Sequence, residues 1–197
     1  LMPSLIFNLR LFTMISTLIA ASFLVATPIA VDNTVKPIAV EPYQMKWVCE
    51  DCSENEQKTL AYLQEKANIT DKNALATILG NIRQESNFIA DICEGGARVR
   101  YDDCHRGGYG LIQWTSVGRY NNLGNFAEKY SCDPSTFDCQ LRYMVNEHIF
   151  QKYLPEFQGR GKSVSQYMVP AYYWLGWGIK GNREVYANDY INKMSYG

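Results

Sequence analysis

Apolar residues recur at helical spacing in several blocks of the chain. Leu60 and Leu63, with Ala67 one turn on, mark one side of a stretch running from Ser53 or Glu54 to about Lys66. Leu75, Ile78, Leu79 and Ile82 form one face of a second stretch, from about Lys72 to Phe88. Between them, Asn68-Ile69-Thr70-Asp71 breaks and recaps the chain, because Thr70 or Asp71 offers a side-chain oxygen to the free N–H groups of the next helix. Residues 68–70 also fit a glycosylation sequon, but capping accounts for them. Further helical stretches are expected near 117–130, 138–152 and 163–175, punctuated by Pro134 and Pro155, with a last amphipathic helix from Asn182 to Met194. The polar segment 91–108, bracketed by Cys93 and Cys104, reads as a loop with a hairpin. Three glycines within Gly107-Gly108-Tyr109-Gly110 imply tight turns or close backbone approach. The expected fold class is α+β, mostly α-helical, with a small β-hairpin/loop lobe beside the second helix.

The N-terminal pattern is different. From Leu11 to Val31 there is no charged residue; Arg10 precedes the run and Asp32 is the first acid. This is the shape of an export segment, and it is also long enough to span a bilayer. Residues 1–30 are therefore expected to be a signal peptide or a retained signal-anchor, which would tie the chain to a membrane through residues 11–31. Pro28 spoils a small-x-small cleavage site ending at Ala30. Residues 31–48, with Pro37 and Pro42, read as a linker, and 49–197 as one domain.

Cysteine usage agrees with export. All six cysteines follow the apolar run, and an even number in an exported chain reads as disulfides. Local pairing is favoured: Cys49 with Cys52, Cys93 with Cys104, Cys132 with Cys139. A zinc site starting from Cys49-x-x-Cys52 is the rival, weakened by the lack of a second compact Cys or His pair. A net charge of −1 speaks against a nucleic-acid partner, which would call for a basic stripe. The 14 tyrosines and 4 tryptophans suit sugar faces and serve equally well as core.

Glu85 is the most informative residue. At 100° per residue it falls in the wedge of Leu75, Ile78, Ile82 and Ile89, so a carboxyl sits on the apolar stripe of its helix. Desolvation disfavours the charged form, which is what a general acid needs near neutral pH. The bland alternative is a helix-end glutamate that escapes to water or pairs with Arg83 or Lys72.

The surrounding residues sharpen this. Gly80-Asn81-Ile82-Arg83-Gln84-Glu85-Ser86-Asn87-Phe88 resembles the catalytic helix of the phage tail lysozyme family, within the lysozyme-like superfamily. Gly107-Gly108-Tyr109-Gly110-Leu111-Ile112-Gln113-Trp114 is similar to the same family's glycine-rich segment and to a shorter element of goose-type lysozymes and lytic transglycosylases. Arg119 and Tyr120 follow at a fitting distance, and Cys139-Gln140-Leu141-Arg142-Tyr143 with Glu147 resembles a third block. The three blocks stand in the right order and the likeness spans roughly 57–190. The export segment, linker and paired cysteines lie outside that pattern.

The resemblance implies a lysozyme-like fold and a glycan-cleaving enzyme acting on peptidoglycan, as a monomer and without a cofactor. Glu85 would protonate the oxygen bridging N-acetylmuramic acid and N-acetylglucosamine. The glycine-rich hairpin would wall the cleft, Gln113 would hydrogen-bond substrate or water, and Tyr109 or Trp114 would shape sugar subsites. Glycosidases normally use two carboxylates. Asp91, Glu94, Asp102 and Asp103 are available; Asp102 ranks first and Asp103 second, since both lie just before the hairpin and would face Glu85. With Glu85 alone, the substrate's own hydroxyl would attack and leave an anhydro-sugar, as in lytic transglycosylases. His105 and His148 have no metal-ligand spacing, and a Cys/His protease would need a free thiol. In the aromatic run 167–178, Tyr173 and Trp177 read chiefly as core, with Trp177 the best exception as a sugar-stacking residue. A peptidoglycan endopeptidase and a non-catalytic wall-binding protein are the competing functions.

Overall fold

A computed structural model describes residues 46–197; the apolar run of 11–31 and most of the expected linker lie outside the described residues. The elements follow in the order β1 (Trp47–Val48), α1 (Glu54–Ala67), α2 (Lys72–Ser86), a 3-10 turn at Tyr101–Asp103, α3 (Val117–Lys129), α4 (Phe137–Asn146), α5 (His148–Phe157), α6 (Val164–Leu175), α7 (Arg183–Lys193) and β2 (Ser195–Tyr196). This is the mostly helical α+β arrangement expected. Among the described residues no helix is long and apolar enough to cross a membrane.

Capping fixes the first two helices. Ser53 and Glu56 form a reciprocal capping box at the start of α1. Asp71 opens α2, its Oδ1 accepting from the N–H groups of Asn73 at 2.9 Å and Ala74 at 3.1 Å. Leu60, Leu63 and Ala67 are buried on α1, and every residue of α2 from Ala74 to Ile82 is buried. The second helix is thus the axis of the core, with α1, α6 and α7 packed round it. Gly80 sets the closest of these approaches. A Cβ there would lie 2.6 Å from the Ala187 nitrogen and 2.7 Å from the Arg183 carbonyl oxygen, so only glycine lets α7 lie backbone to backbone on α2.

Three expectations are corrected. The stretch expected as one helix over 138–152 is two, because Glu147 adopts extended backbone (φ −63°, ψ 133°) and both ends α4 and caps α5. Its carboxylate is buried and held by Arg119, a tertiary interaction that outweighs local helix propensity. Pro155 does not end a helix but sits in the last turn of α5, which runs on to Phe157. The final two residues of the expected linker are a strand: Trp47 pairs with Tyr196 and Val48 with Ser195, antiparallel, joining the start of the described chain to its end.

All three local disulfides are present, with Cα–Cα separations of 5.3, 5.6 and 5.7 Å in chain order. The expected hairpin is looser than a ladder. Residues 91–94 pair on one side with 97–99 and on the other with 108–110, through isolated bridges Ile92–Arg98 and Cys93–Tyr109. The Cys93–Cys104 bond closes this lobe.

A candidate active-site cleft

The end of α2, the disulfide-closed lobe, the start of α3 and the segment between α6 and α7 surround a cleft of about 920 Å³. Glu85, Glu94, Gln113, Arg119, Trp177 and Arg183 line it.

Glu85 keeps 16% of its side chain exposed, enough to reach the cleft and too little to be freely solvated. Its Oε1 accepts a hydrogen bond of 2.8 Å from Arg183 Nη2. Burial pushes its carboxyl above the ordinary value of 4.5, and this outweighs the downward pull of Arg183 and, more weakly, of Arg119. Burial also lowers Arg183, against the pull of Glu85. Both partners are shifted toward neutrality, since desolvation costs each more than the pair returns. A guanidinium starts so far above neutrality that it stays charged, so it is the carboxyl whose titration burial can bring toward neutral pH. Neither Arg83 nor Lys72 pairs with Glu85: Arg83 bonds Asp189 at 2.6 Å, and Lys72 lies over the Trp47 ring.

The glycine-rich segment is anchored from beneath. Ser86 Oγ donates to the Leu111 carbonyl at 2.7 Å. Gln140, fully buried, accepts from the Leu111 N–H at 2.8 Å and donates to the carbonyls of Ala90 at 2.9 Å and Pro134 at 2.7 Å. Gly110, at φ 72°, passes so close to the Gln140 amide that a side chain there would occupy the same space. Gln113 has φ 51°, and this left-handed residue turns the chain so that Ile112 and Gln113 meet the cleft while Trp114 turns inward. The Gln113 amide donates to the carbonyls of Gly110 at 3.1 Å and Ile92 at 3.3 Å, bracing the lobe.

Several expected site residues therefore occupy other roles. Tyr109 and Trp114 are fully buried and touch no open surface. The Tyr109 hydroxyl donates to Val99 O, and its ring packs edge-on to Tyr101 and Tyr120. Trp114 packs against Tyr143. They support the cleft rather than line it. Asp102 and Asp103 are exposed on the 3-10 turn and are not among the cleft-lining residues. Their turn is drawn the other way: the Tyr101 N–H donates to Ser135 Oγ, and the Tyr101 ring stacks on Tyr120 at 4.2 Å. Asp91 is bonded to Arg98. Among the four loop acids it is Glu94 that shares the cleft with Glu85, its Oε2 accepting from the Gly108 N–H at 2.9 Å. Tyr173, read as core, is 56% exposed and lines the cleft, while its neighbour Trp174 is the buried one. Trp177 lies in the cleft as expected of the exception, with the Arg183 guanidinium 4.4 Å from its ring centroid.

Two cations went unpredicted in their roles. Arg119 makes a bidentate pair with Glu147, at 2.6 and 2.7 Å, and projects into the cleft. Arg183 comes from α7, far along the chain. Its identity as a charged residue at the start of the last amphipathic helix gave no signal of where it docks. Among the described residues no three His, Cys, Asp or Glu side chains converge as a metal site.

The cleft thus presents a carboxyl biased toward its neutral form, a second carboxylate, amide and hydroxyl groups, and aromatic surface. That set can protonate a leaving oxygen within a polar polymer. The family model of phage tail lysozymes matches residues 54–194. No curated protein matches the chain. The match covers most of the chain, all seven helices among the described residues and every cleft-lining residue named above, and the chain belongs to the phage tail lysozyme family.

Proposed function

We propose that the protein hydrolyses the glycan strand of peptidoglycan between N-acetylmuramic acid and N-acetylglucosamine, with Glu85 as general acid. Membership of the family carries peptidoglycan lysis in the broad sense; the linkage and the roles of residues are our reading. The observation that carries it is a carboxyl raised by burial at the edge of a cleft large enough for sugar rings.

In this reading Glu85 passes its proton to the bridging oxygen as the C1–O bond breaks. Glu94, the other carboxylate of the cleft, takes a proton from the water whose oxygen bonds to C1. Glu85 then regains a proton from solvent, and Glu94 releases one. Trp177 and the Tyr173 ring offer faces to sugars, and Thr115 and Ser116 offer hydroxyls. Asp102, ranked first from the sequence, is not among the residues lining the cleft, and this reading gives its role to Glu94. The three disulfides fit an exported protein, and residues 11–31 supply the export segment or anchor.

Muropeptide mass spectrometry tests the reading. Reducing-end muramic acid is expected. Anhydro-muramic ends mean that the substrate's own hydroxyl attacks C1 in place of the water activated by Glu94, and free stem peptides mean that a different bond is cut. A Glu85→Gln variant with undiminished lytic rate would overturn the assignment of the acid.

A further inference from the structure

The helix that carries Glu85 presents one continuous edge to the start of α7. Gly80 clears space for its backbone, with the Arg183 carbonyl and Ala187 nitrogen lying where a Cβ would stand. Asn81, fully buried, donates to the Thr77 carbonyl at 2.8 Å and turns its own Oδ1 toward Arg183 Nη1 at 3.3 Å. Gln84 accepts from the Asn182 N–H at 2.8 Å. Glu85 accepts from Arg183 Nη2. Positions 80, 81, 84 and 85 share one side of a helix, so Gly80 and Gln84 seat the backbone at the start of α7 while Asn81 and Glu85 hold the Arg183 guanidinium. The Arg183 side chain is only 5% exposed, and the Trp177 ring restricts its guanidinium further.

A guanidinium is a donor and never an acceptor. A neutral carboxyl has one oxygen that carries the proton and one that does not, and the bare oxygen is the one a donor prefers. We propose that Arg183 is a positioning residue: by bonding Oε1 of Glu85 it keeps that oxygen bare and places the transferable proton on Oε2. The proposal rests on the reading of Glu85 as the acid. The other charged groups near Glu85 are constant in the test. Arg119 approaches from α3 and is neutralised by Glu147, and Glu94 shares the cleft from the disulfide-closed lobe.

The test uses Arg183→Met and Arg183→Lys in the full chain, with two readouts. The first is a carbon-13 NMR titration of the Glu85 carboxyl, identified as the resonance absent from Glu85→Gln. The second is the pH profile of cleavage of soluble peptidoglycan fragments. In Arg183→Met the midpoint of Glu85 moves upward, because burial is left unopposed, and the alkaline limb of the profile moves up with it. kcat falls on the order of 10- to 100-fold, as expected for a misoriented reacting group, while KM changes by less than about threefold. Arg183→Lys, which retains charge and a donor without the planar fork, restores the midpoint and recovers only part of kcat. An unmoved midpoint in folded Arg183→Met overturns the proposal, as does an activity loss that merely follows the unfolded fraction. If Arg183→Met does not fold, Arg183→Lys with full kcat overturns it. Retained activity in Glu85→Gln instead sinks the reading of the acid, and the titration still reports whether Arg183 acts on Glu85.

Discussion

The hydroxyl of Ser86 donates to the carbonyl of Leu111 across 2.7 Å, tying the residue beside the candidate acid to the glycine-rich wall of the cleft. The Leu111 N–H is taken by Gln140, so one residue's backbone is held from both sides. Acid and wall are thereby one mechanical body. Ser86→Ala leaves a buried carbonyl without its donor and should cost about 1–3 kcal/mol in urea unfolding. Gln140→Ala removes three bonds, two of them buried, and opens a cavity, and should cost more, about 3 kcal/mol or above. In both variants kcat should fall further than the folded fraction does. Unfolding midpoints equal to the parent's would show that Leu111 is held by something else.

Gly80→Ala distinguishes close packing from helix propensity. On a solvated helix face the change stabilises by up to about 1 kcal/mol. Here the new methyl meets the α7 backbone and should destabilise by about 1–3 kcal/mol. Thermal melts decide it, and a raised Tm would refute the close approach of α2 and α7.

The raised carboxyl of Glu85 has a consequence for stability with a definite sign. Its folded-state value lies above the ordinary 4.5, so the folded state holds this proton more tightly than the unfolded chain does. Its favourable contribution is complete below the ordinary carboxyl range and is lost as pH rises through the folded value. Stability of Glu85→Gln relative to the parent should therefore improve as pH rises from below the ordinary carboxyl range to above the folded-state value of Glu85. Paired denaturation curves across that range measure it. A trend in the opposite direction means that Arg183 wins over burial.

The Cys93–Cys104 bond closes the lobe that carries Glu94. Replacing both cysteines with serine should cost about 2–4 kcal/mol. Lytic rate should fall before global unfolding, because the lobe is otherwise joined by isolated bridges rather than a full ladder. Activity unaffected by the double replacement would mean that the lobe's hydrogen bonds suffice to hold Glu94.

What could be read from the sequence was local. Asp71 announces the start of α2, and the apolar wedge places Glu85 on its buried side, because both depend on neighbours within a few turns. The three disulfides join cysteines no more than 11 residues apart, short enough for spacing alone to favour them. The direction of a loop side chain was not legible. Asp102 lies on a turn held by the bonding of Tyr101 to Ser135 and its stacking on Tyr120, outside the cleft lining, and Trp114 turns inward because Gln113 takes a left-handed conformation. Nor could periodicity show that Glu147 would break a helix to meet Arg119, 28 residues away. Arg183 was the least legible, since its partner lies 98 residues earlier.

That last separation bears on how the molecule is made. A chain synthesised as far as Lys180 already holds the acid, the disulfide-closed lobe and the α3 wall, but α2 has an open flank. On that flank Glu85 lacks both the Arg183 bond and the covering of α7. If Glu85 is the acid, competence requires α7 to lie along Gly80 and seal it. A premature stop before α7 should thus yield an inert body rather than a weakened lysin, which would keep a nascent chain harmless until that helix is complete.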